Sequence, residues 1–156
     1  MTDEDYMRKA IAKAKEGIAQ GQSPFGACIV KDNEVVALVH NQVWKSGDIT
    51  AHAEVTAIRE ACRRLKAIDL SGAVIYSTCE PCPMCFSACH WARLSKIFFG
   101  SRIEDAKGLG FSELTISNET MKKWGESPIE IEGDLLRKES LKLFESWSRT
   151  RGNGSY

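Results

Sequence analysis

The stretch Cys79-Glu80-Pro81-Cys82-Pro83-Met84-Cys85 constrains this chain more than any other. Two thiols stand three apart, with Pro83 just after the first. A proline at the first position of a helix loses no hydrogen bond, and its fixed φ suits a helix start. The spacing therefore predicts Cys82 as an N-cap and Cys85 in the first turn. Both sulfurs would lie at the positive end of a helix dipole, which favours thiolates. A Cys-x-x-Cys pair by itself fits two chemistries, a dithiol redox switch or half of a metal site.

A second cluster decides between them. About thirty residues upstream, His52-Ala53-Glu54 falls at the start of another predicted helix. One imidazole and two thiolates make three ligands, which leaves a tetrahedral zinc one open position, as in catalytic sites. His52, Cys82 and Cys85 are the candidate ligands. Glu54 is the candidate acid/base, two residues from the histidine ligand. On a helix, residues two apart point to nearly opposite sides, so His52 and Glu54 can share a site only ahead of the first turn. A redox protein has no use for His52-Ala53-Glu54, and a structural zinc site would want a fourth protein ligand that the chain does not offer.

The remaining cysteines and histidines read differently. Cys28 and Cys79 fall in or beside strands, Cys62 lies on a buried stripe, and Cys89 lies one turn beyond Cys85. Each reads as a small core residue. His40 and His90 are not expected to be ligands. The start, Met1-Thr2-Asp3-Glu4, is acidic and polar, so the six cysteines read as reduced thiols in a cytoplasm. Positive and negative side chains balance at 21 each. That balance gives no basic excess for nucleic acid and no charge block for a membrane surface. Arg59, Arg63, Arg64 and Lys66 make a local basic set that reads as a solvated helix face. No apolar run reaches transmembrane length.

The 156 residues are the length of one domain, 1–156. Met7, Ala10, Ile11, Ala14 and Ile18 recur at helical spacing, with Thr2 or Asp3 as cap and Gly21 as stop. Ala27 to Val30 and Val35 to Val39 read as a hairpin about Asp32-Asn33. Trp44 to Thr50 reads as a polar loop, followed by a helix from about Thr50 to Lys66 with Val55, Ile58, Cys62 and Leu65 inward. Ala73 to Thr78, the motif helix and Lys96 to Gly100 form strand, helix, strand, which predicts a parallel pair. Gly108 and Gly110 lead a loop to Phe111-Ser112-Glu113, and Thr120 to Trp124 reads as helix. Ile129 to Ile131 is a fifth strand, and Asp134 caps a last helix with Leu136, Leu143, Phe144 and Trp147 inward.

With these residues in place, the chain resembles the cytidine-deaminase-like superfamily, whose signature is His-x-Glu with Pro-Cys-x-x-Cys. Within it, the chain looks like the bacterial guanine deaminases. The likeness rests on Pro24-Phe25-Gly26-Ala27, Thr50 to Arg59, Cys79 to Cys85, and Trp91-Ala92-Arg93. It thins after Gly100. The resemblance implies an α/β fold, a three-layer α/β/α sandwich around a mixed five-stranded sheet, and one catalytic zinc per subunit. The expected reaction is hydrolytic deamination: Glu54 takes a proton from water and passes it to a ring nitrogen and then to the leaving amine. The expected substrate is a small purine base, guanine, giving xanthine and ammonia.

Carried over by the resemblance, Asn41 hydrogen-bonds the purine edge, Phe25 packs on the ring with His52 on its other face, and Ala53 lies against the substrate. Glu113 reads guanine's N–H edge, and Tyr156 closes the site. Here the chain departs from the pattern, which has Asp-Asp after the phenylalanine; this chain has Ser112-Glu113. The resemblance also implies a homodimer with the C-terminal helix and tail, about 134–156, swapped between subunits. A tRNA adenosine deaminase, a cytosine or other small-base deaminase, and a non-catalytic zinc or dithiol module are the alternatives.

Overall fold

Helix α1, Asp3–Ala19, starts where Thr2 caps it. The Thr2 hydroxyl accepts from the Asp5 N–H, and the Asp5 carboxylate accepts from the Thr2 N–H. This capping box satisfies two donors that a helix start leaves unpaired. The inward face is Tyr6, Met7, Ala10, Ile11 and Ala14. Strands β1, Gly26–Lys31, and β2, Glu34–His40, follow as a hairpin. Asp32 and Asn33 at its turn both have left-handed φ, 51° and 63°, which a tight two-residue hairpin requires. The computed structural model describes residues 1–156.

The remaining elements are α2, Val43–Ser46; α3, Ala53–Leu65; β3, Val74–Cys79; α4, Pro83–Trp91; β4, Lys96–Ser101; α5, Ile103–Lys107; α6, Asn118–Gly125; β5, Glu130–Glu132; and α7, Arg137–Thr150. The strands form one sheet in the order β2-β1-β3-β4-β5. β1 is antiparallel to β2 and β3, and β3, β4 and β5 run parallel, so the sheet is mixed and five-stranded as expected.

Strand side chains alternate between two cores, which makes the molecule three-layered. Ile29, Ile75 and Ile97 face one side, with Ala53, Ala57 and Ala61 of α3 and Phe86 and Cys89 of α4. Cys28, Val30, Tyr76 and Phe98 face the other, with α1 and with Leu143 and Phe144 of α7. Each fully buried isoleucine contributes roughly 1.5–3 kcal/mol through lost water contact. Gly26 is required by its neighbour: a Cβ there would lie 2.3 Å from the Ala10 carbonyl oxygen. Its N–H donates to the Thr78 hydroxyl, so α1, β1 and β3 meet at that point.

Several local expectations are corrected. The buried stripe of α3 is Ala53, Ala57 and Ala61, with Glu54 beside them, whereas Val55, Ile58, Cys62 and Leu65 are only half-buried. Alanines let the helix come close to the sheet, and the larger residues flank that contact. Within 44–50 the chain makes the short helix α2 rather than only a loop. Helix α5 falls just ahead of the Gly108-to-Glu113 loop, in a stretch for which the sequence pattern predicts no element, its start held by the Arg102 N–H on the Asp105 carboxylate. Asp134 does not cap α7. It has a φ of 65° and pairs with Arg102, and Leu136 precedes the helix instead.

Candidate metal centre and active site

β1 and β3 are antiparallel, so the start of β1 and the end of β3 lie at the same edge of the sheet. The end of β2 joins them through the pairing of Gly26 with His40. That edge therefore receives Phe25, Asn41 and the motif that follows Cys79. Two helices also begin there: His52 is the N-cap of α3, and Cys82 is the N-cap of α4, with Pro83 at its first position. The caps bring residues thirty apart in sequence together under two positive helix ends.

His52 Nδ1 lies 3.7 Å from Cys82 Sγ and 3.6 Å from Cys85 Sγ. The three ligand atoms all lie within 4.8 Å of one another. A tetrahedral zinc with bonds of about 2.3 Å to sulfur and about 2.0–2.1 Å to nitrogen needs nitrogen–sulfur edges of about 3.6 Å. The side chains present fit that ion, with one coordination position left for a small molecule. Cys89 is fully buried in the α3/α4 core and takes no part. His40 faces the Asn41 carbonyl and His90 faces the Ser127 hydroxyl, so neither joins the cluster.

The protonation pattern follows from the packing. A hydrogen bond from Cys85 holds the Cys82 thiol down at about 4, helped by His52 and the Cys85 N–H against the opposing cost of burial. The same shared proton, with burial, pushes Cys85 well up. Burial pulls His52 down, but its bond to Cys82 and the charges of Glu54 and Glu113 outweigh this, and the net shift is upward. Burial raises the Glu54 carboxyl and the Cys82 charge adds to that, while His52 and the Ser77 hydroxyl pull it back.

Glu54 is held in place by Ser77 of β3, whose Oγ donates to Glu54 Oε1 at 2.8 Å inside the core. Sequence reasoning missed Ser77, because a lone serine in a strand carries no signal. It also missed Glu80, a buried carboxylate inside the cysteine motif that accepts the Asn118 and Ile103 N–H groups at 2.9 and 3.3 Å.

An outer cavity of about 390 Å³ opens over the cluster, walled by His52, Cys82, Phe111, Glu113, Leu114 and Tyr156 among others. Pockets of this size suit small molecules. Behind it, a space of about 20 Å³ is lined by Phe25, Asn41, Glu54, Glu80, Glu113 and Tyr156 together with His52 and Cys82, among others. The structure therefore gathers most of the sequence-derived site residues at one place. Cys85 lies beneath, fully buried, and Ala53 is likewise fully buried and walls neither space. Burial, with the charges of Cys82 and Glu54, raises the Glu113 carboxyl to about 7.

Phe25 packs edge-on against Phe111 and Phe144, at 5.2 and 5.9 Å between ring centroids. Phe111 also meets Tyr156 at 5.1 Å. The tail is tied down along its length. Asn153 donates to the Gly21 carbonyl, Trp44 Nε1 donates to the Gly154 carbonyl, and the Ser112 N–H donates to the Tyr156 carbonyl. Ser112, standing where an acid was expected, thus serves through its backbone.

Comparison with known proteins places this geometry. Residues 1–101 match the profile of the cytidine and deoxycytidylate deaminase zinc-binding region. The chain is 40% identical over 157 residues to the guanine deaminase of Bacillus subtilis, across the whole of both chains. It is 39% identical to a tRNA-specific adenosine deaminase of Aquifex aeolicus, covering 92% of this chain and 97% of that one. A solved guanine deaminase from Bacillus subtilis superposes with a TM-score of 0.69 at 46% identity, over 70% of this chain and 71% of that one. A solved tRNA:A34 deaminase superposes with a TM-score of 0.76 at 28% identity, over 89% and 98%. The sheet, the paired helix starts and the whole-length likeness agree: the chain belongs to the cytidine and deoxycytidylate deaminase zinc-binding family and is a hydrolase of carbon–nitrogen bonds in cyclic amidines.

Proposed function

We propose that this enzyme hydrolyses guanine to xanthine and ammonia, with zinc held by His52, Cys82 and Cys85. The observation that carries this reading is the cavity over the cluster, in which Glu113 and Tyr156 stand on the same walls as His52 and Cys82. A carboxylate facing the cavity accepts the N–H groups on the edge of guanine. A site roofed by an aromatic side chain suits a free base better than one in a strand. The whole-length likeness to a guanine deaminase supports the same substrate.

When bound, zinc supplies a water of near-neutral pKa and steadies developing negative charge. The chain's own residues do the rest. Glu54, oriented by Ser77, takes a proton from the water and delivers it to a ring nitrogen. The water oxygen bonds to the carbon that bears the exocyclic amine. Glu54 then carries the second proton to that amine, the carbon–nitrogen bond breaks, and ammonia leaves. Phe25 and His52 flank the ring, the Asn41 amide meets its polar edge, and the buried Ala53 backs the start of α3 against which the base is seated. The raised Glu54 carboxyl suits an acid that must hold a proton in mid-reaction.

The working form we propose is a cytoplasmic homodimer with residues from about 134 to 156 exchanged between subunits. In the single chain, α7 and the tail return to their own site. The solved Bacillus guanine deaminase superposes on only 70% of the chain although the sequence likeness to that species' enzyme runs full length. An exchanged tail would produce a difference of that kind. No helix is long and apolar enough to cross a membrane.

The test is ammonia release by zinc-loaded protein from guanine, guanosine, adenine, cytosine, cytidine and an adenosine-containing tRNA anticodon stem. Release from guanine alone supports the proposal. Release from the stem-loop would replace it with tRNA adenosine deamination, the reading favoured by the likeness to the Aquifex enzyme. Light scattering gives the mass in solution, and a monomer would remove the exchanged tail.

A further inference from the structure

We infer that Glu80 is a positioning residue for substrate choice, a single carboxylate that holds both ends of the segment carrying Glu113 to the cavity wall. The inference rests on the role proposed above for Glu113. Glu80 Oε2 accepts the Ile103 N–H at 3.3 Å, and Oε1 accepts the Asn118 N–H at 2.9 Å. Between those two residues, just past the end of β4, the chain makes α5, runs out through Phe111 to Leu114, and returns at the start of α6. The next residue of the motif adds a third tie, since Asn118 Nδ2 donates to the Pro81 carbonyl at 2.7 Å. Glu80 is itself anchored, its own N–H donating to the Ser101 carbonyl at 2.7 Å.

The stretch that leads from Cys79 to Cys82 therefore has two duties. It presents a thiol to the cluster, and it closes the base of a long excursion. Closing a loop at one point restricts every residue within it. Glu113 depends on that restriction, because its N–H is bonded to the Phe111 carbonyl and Phe111 sits in the aromatic group over Phe25. Glutamine at position 80 has nearly the same shape but one acceptor oxygen. Its amide would turn donors toward an N–H, leaving one end of the segment untied and a buried donor unpaired.

The experiment uses zinc-loaded full-length protein and the variants Glu80→Gln, Glu113→Gln, their double, and Asn118→Ala. Metal per chain, thermal midpoint, kcat and KM for guanine are measured for each. In Glu80→Gln we expect zinc content unchanged and kcat/KM for guanine reduced about tenfold, carried by KM. The double variant should fall within about twofold of Glu113→Gln alone, because residues acting through one another are not additive. Asn118→Ala keeps its backbone N–H for Glu80 and should move KM the same way by a smaller factor. Should Glu80→Gln fail to fold, the cycle of Asn118→Ala with Glu113→Gln decides by the same criterion.

Loss of zinc in Glu80→Gln, a fall in kcat as large as that in kcat/KM, or multiplicative effects in the double variant would overturn the inference. A guanine KM moved by Glu113→Gln and not by Glu80→Gln overturns it alone. A KM unmoved by Glu113→Gln removes the assignment of Glu113 itself, and the inference with it.

Discussion

Asn41 Nδ2 donates to the Tyr156 hydroxyl at 2.7 Å, joining residues 115 positions apart. Asn41 is fully buried, and its Oδ1 already accepts the Val43 N–H at 3.0 Å. The amide is thus oriented by α2 on one side and capped by the tail on the other. The space behind this contact, about 20 Å³, has room for about one water. On the proposed reaction, a base entering it must part Tyr156 from Asn41. Deleting Tyr156 should leave zinc content unchanged and lower kcat/KM by about tenfold, while Tyr156→Phe should lose only a few-fold, the worth of one neutral hydrogen bond. Steady-state kinetics with metal analysis checks this, and unchanged kinetics in the deletion would defeat the closing role.

Glu54→Gln should keep zinc and lose turnover by about 10²–10⁴-fold, the usual contribution of a general acid/base. Ser77→Ala should reduce kcat by a smaller factor, since it frees the carboxylate from the bond that orients it. Normal turnover in Glu54→Gln would take the proton-transfer role away from that residue.

Thiol chemistry should single out one cysteine. Cys82 is held down at about 4 by its partners, whereas burial pushes Cys28 up to about 12 and raises Cys89 as well. In reduced protein stripped of metal, brief iodoacetamide treatment should label Cys82 ahead of those two, because the thiolate is the nucleophile. Zinc added first should protect it. Peptide mapping by mass spectrometry reads the outcome, and labelling of Cys82 that zinc does not slow would argue against its place among the ligands.

Acid should loosen the contact between α5 and α7. Burial opposes ionisation of Asp105, but its bonds from Arg137 and the Arg102 N–H prevail, and its carboxyl lies below the ordinary range. Asp134 is lowered chiefly by its hydrogen bonds from Arg102. For a carboxyl depressed by folding, the stabilisation is complete above the unfolded-state value and is lost as pH falls through the folded-state value. The thermal midpoint should therefore drop between about pH 5 and pH 3. Asp105→Asn should be less stable than the parent at pH 7 and approach it at pH 3. Parallel curves for the two proteins would assign the acid sensitivity elsewhere.

The chemistry of this site was more legible in the sequence than its selectivity. Pro83 and the two cysteine positions announce a helix start, and His52-Ala53-Glu54 announces another, so short-range patterns were enough to find the cluster. The hairpin of Ala27 to Val30 with Val35 to Val39 about Asp32-Asn33 was legible for the same reason. Ser77 and Glu80 were not, because their partners lie 23 and 38 positions away and only the sheet brings them together. Helix α3 misled in a simple way. Hydrophobic periodicity weights Val55, Ile58 and Leu65 above alanine, whereas close packing on the sheet favours the smaller side chain. Asp134 had the residue type of a helix cap, and a pairing with Arg102 claimed it.

The sheet order has a consequence for how such a chain can change its trade. All three metal-ligand candidates and Glu54 are in place by Cys85, and the core strands that hold them end at Ser101. Glu113 and Tyr156 arrive afterwards, on a loop and a tail that add no strand to that frame between β4 and β5. On the roles proposed above, proton transfer and the contacts of Phe25 and Asn41 belong to the part of the chain before Ser101, and the contacts of Glu113 and Tyr156 belong to the part after it. If those roles hold, exchanging the segment after Ser101 for that of a relative should change which base is taken while the cluster and Glu54 stay as they are.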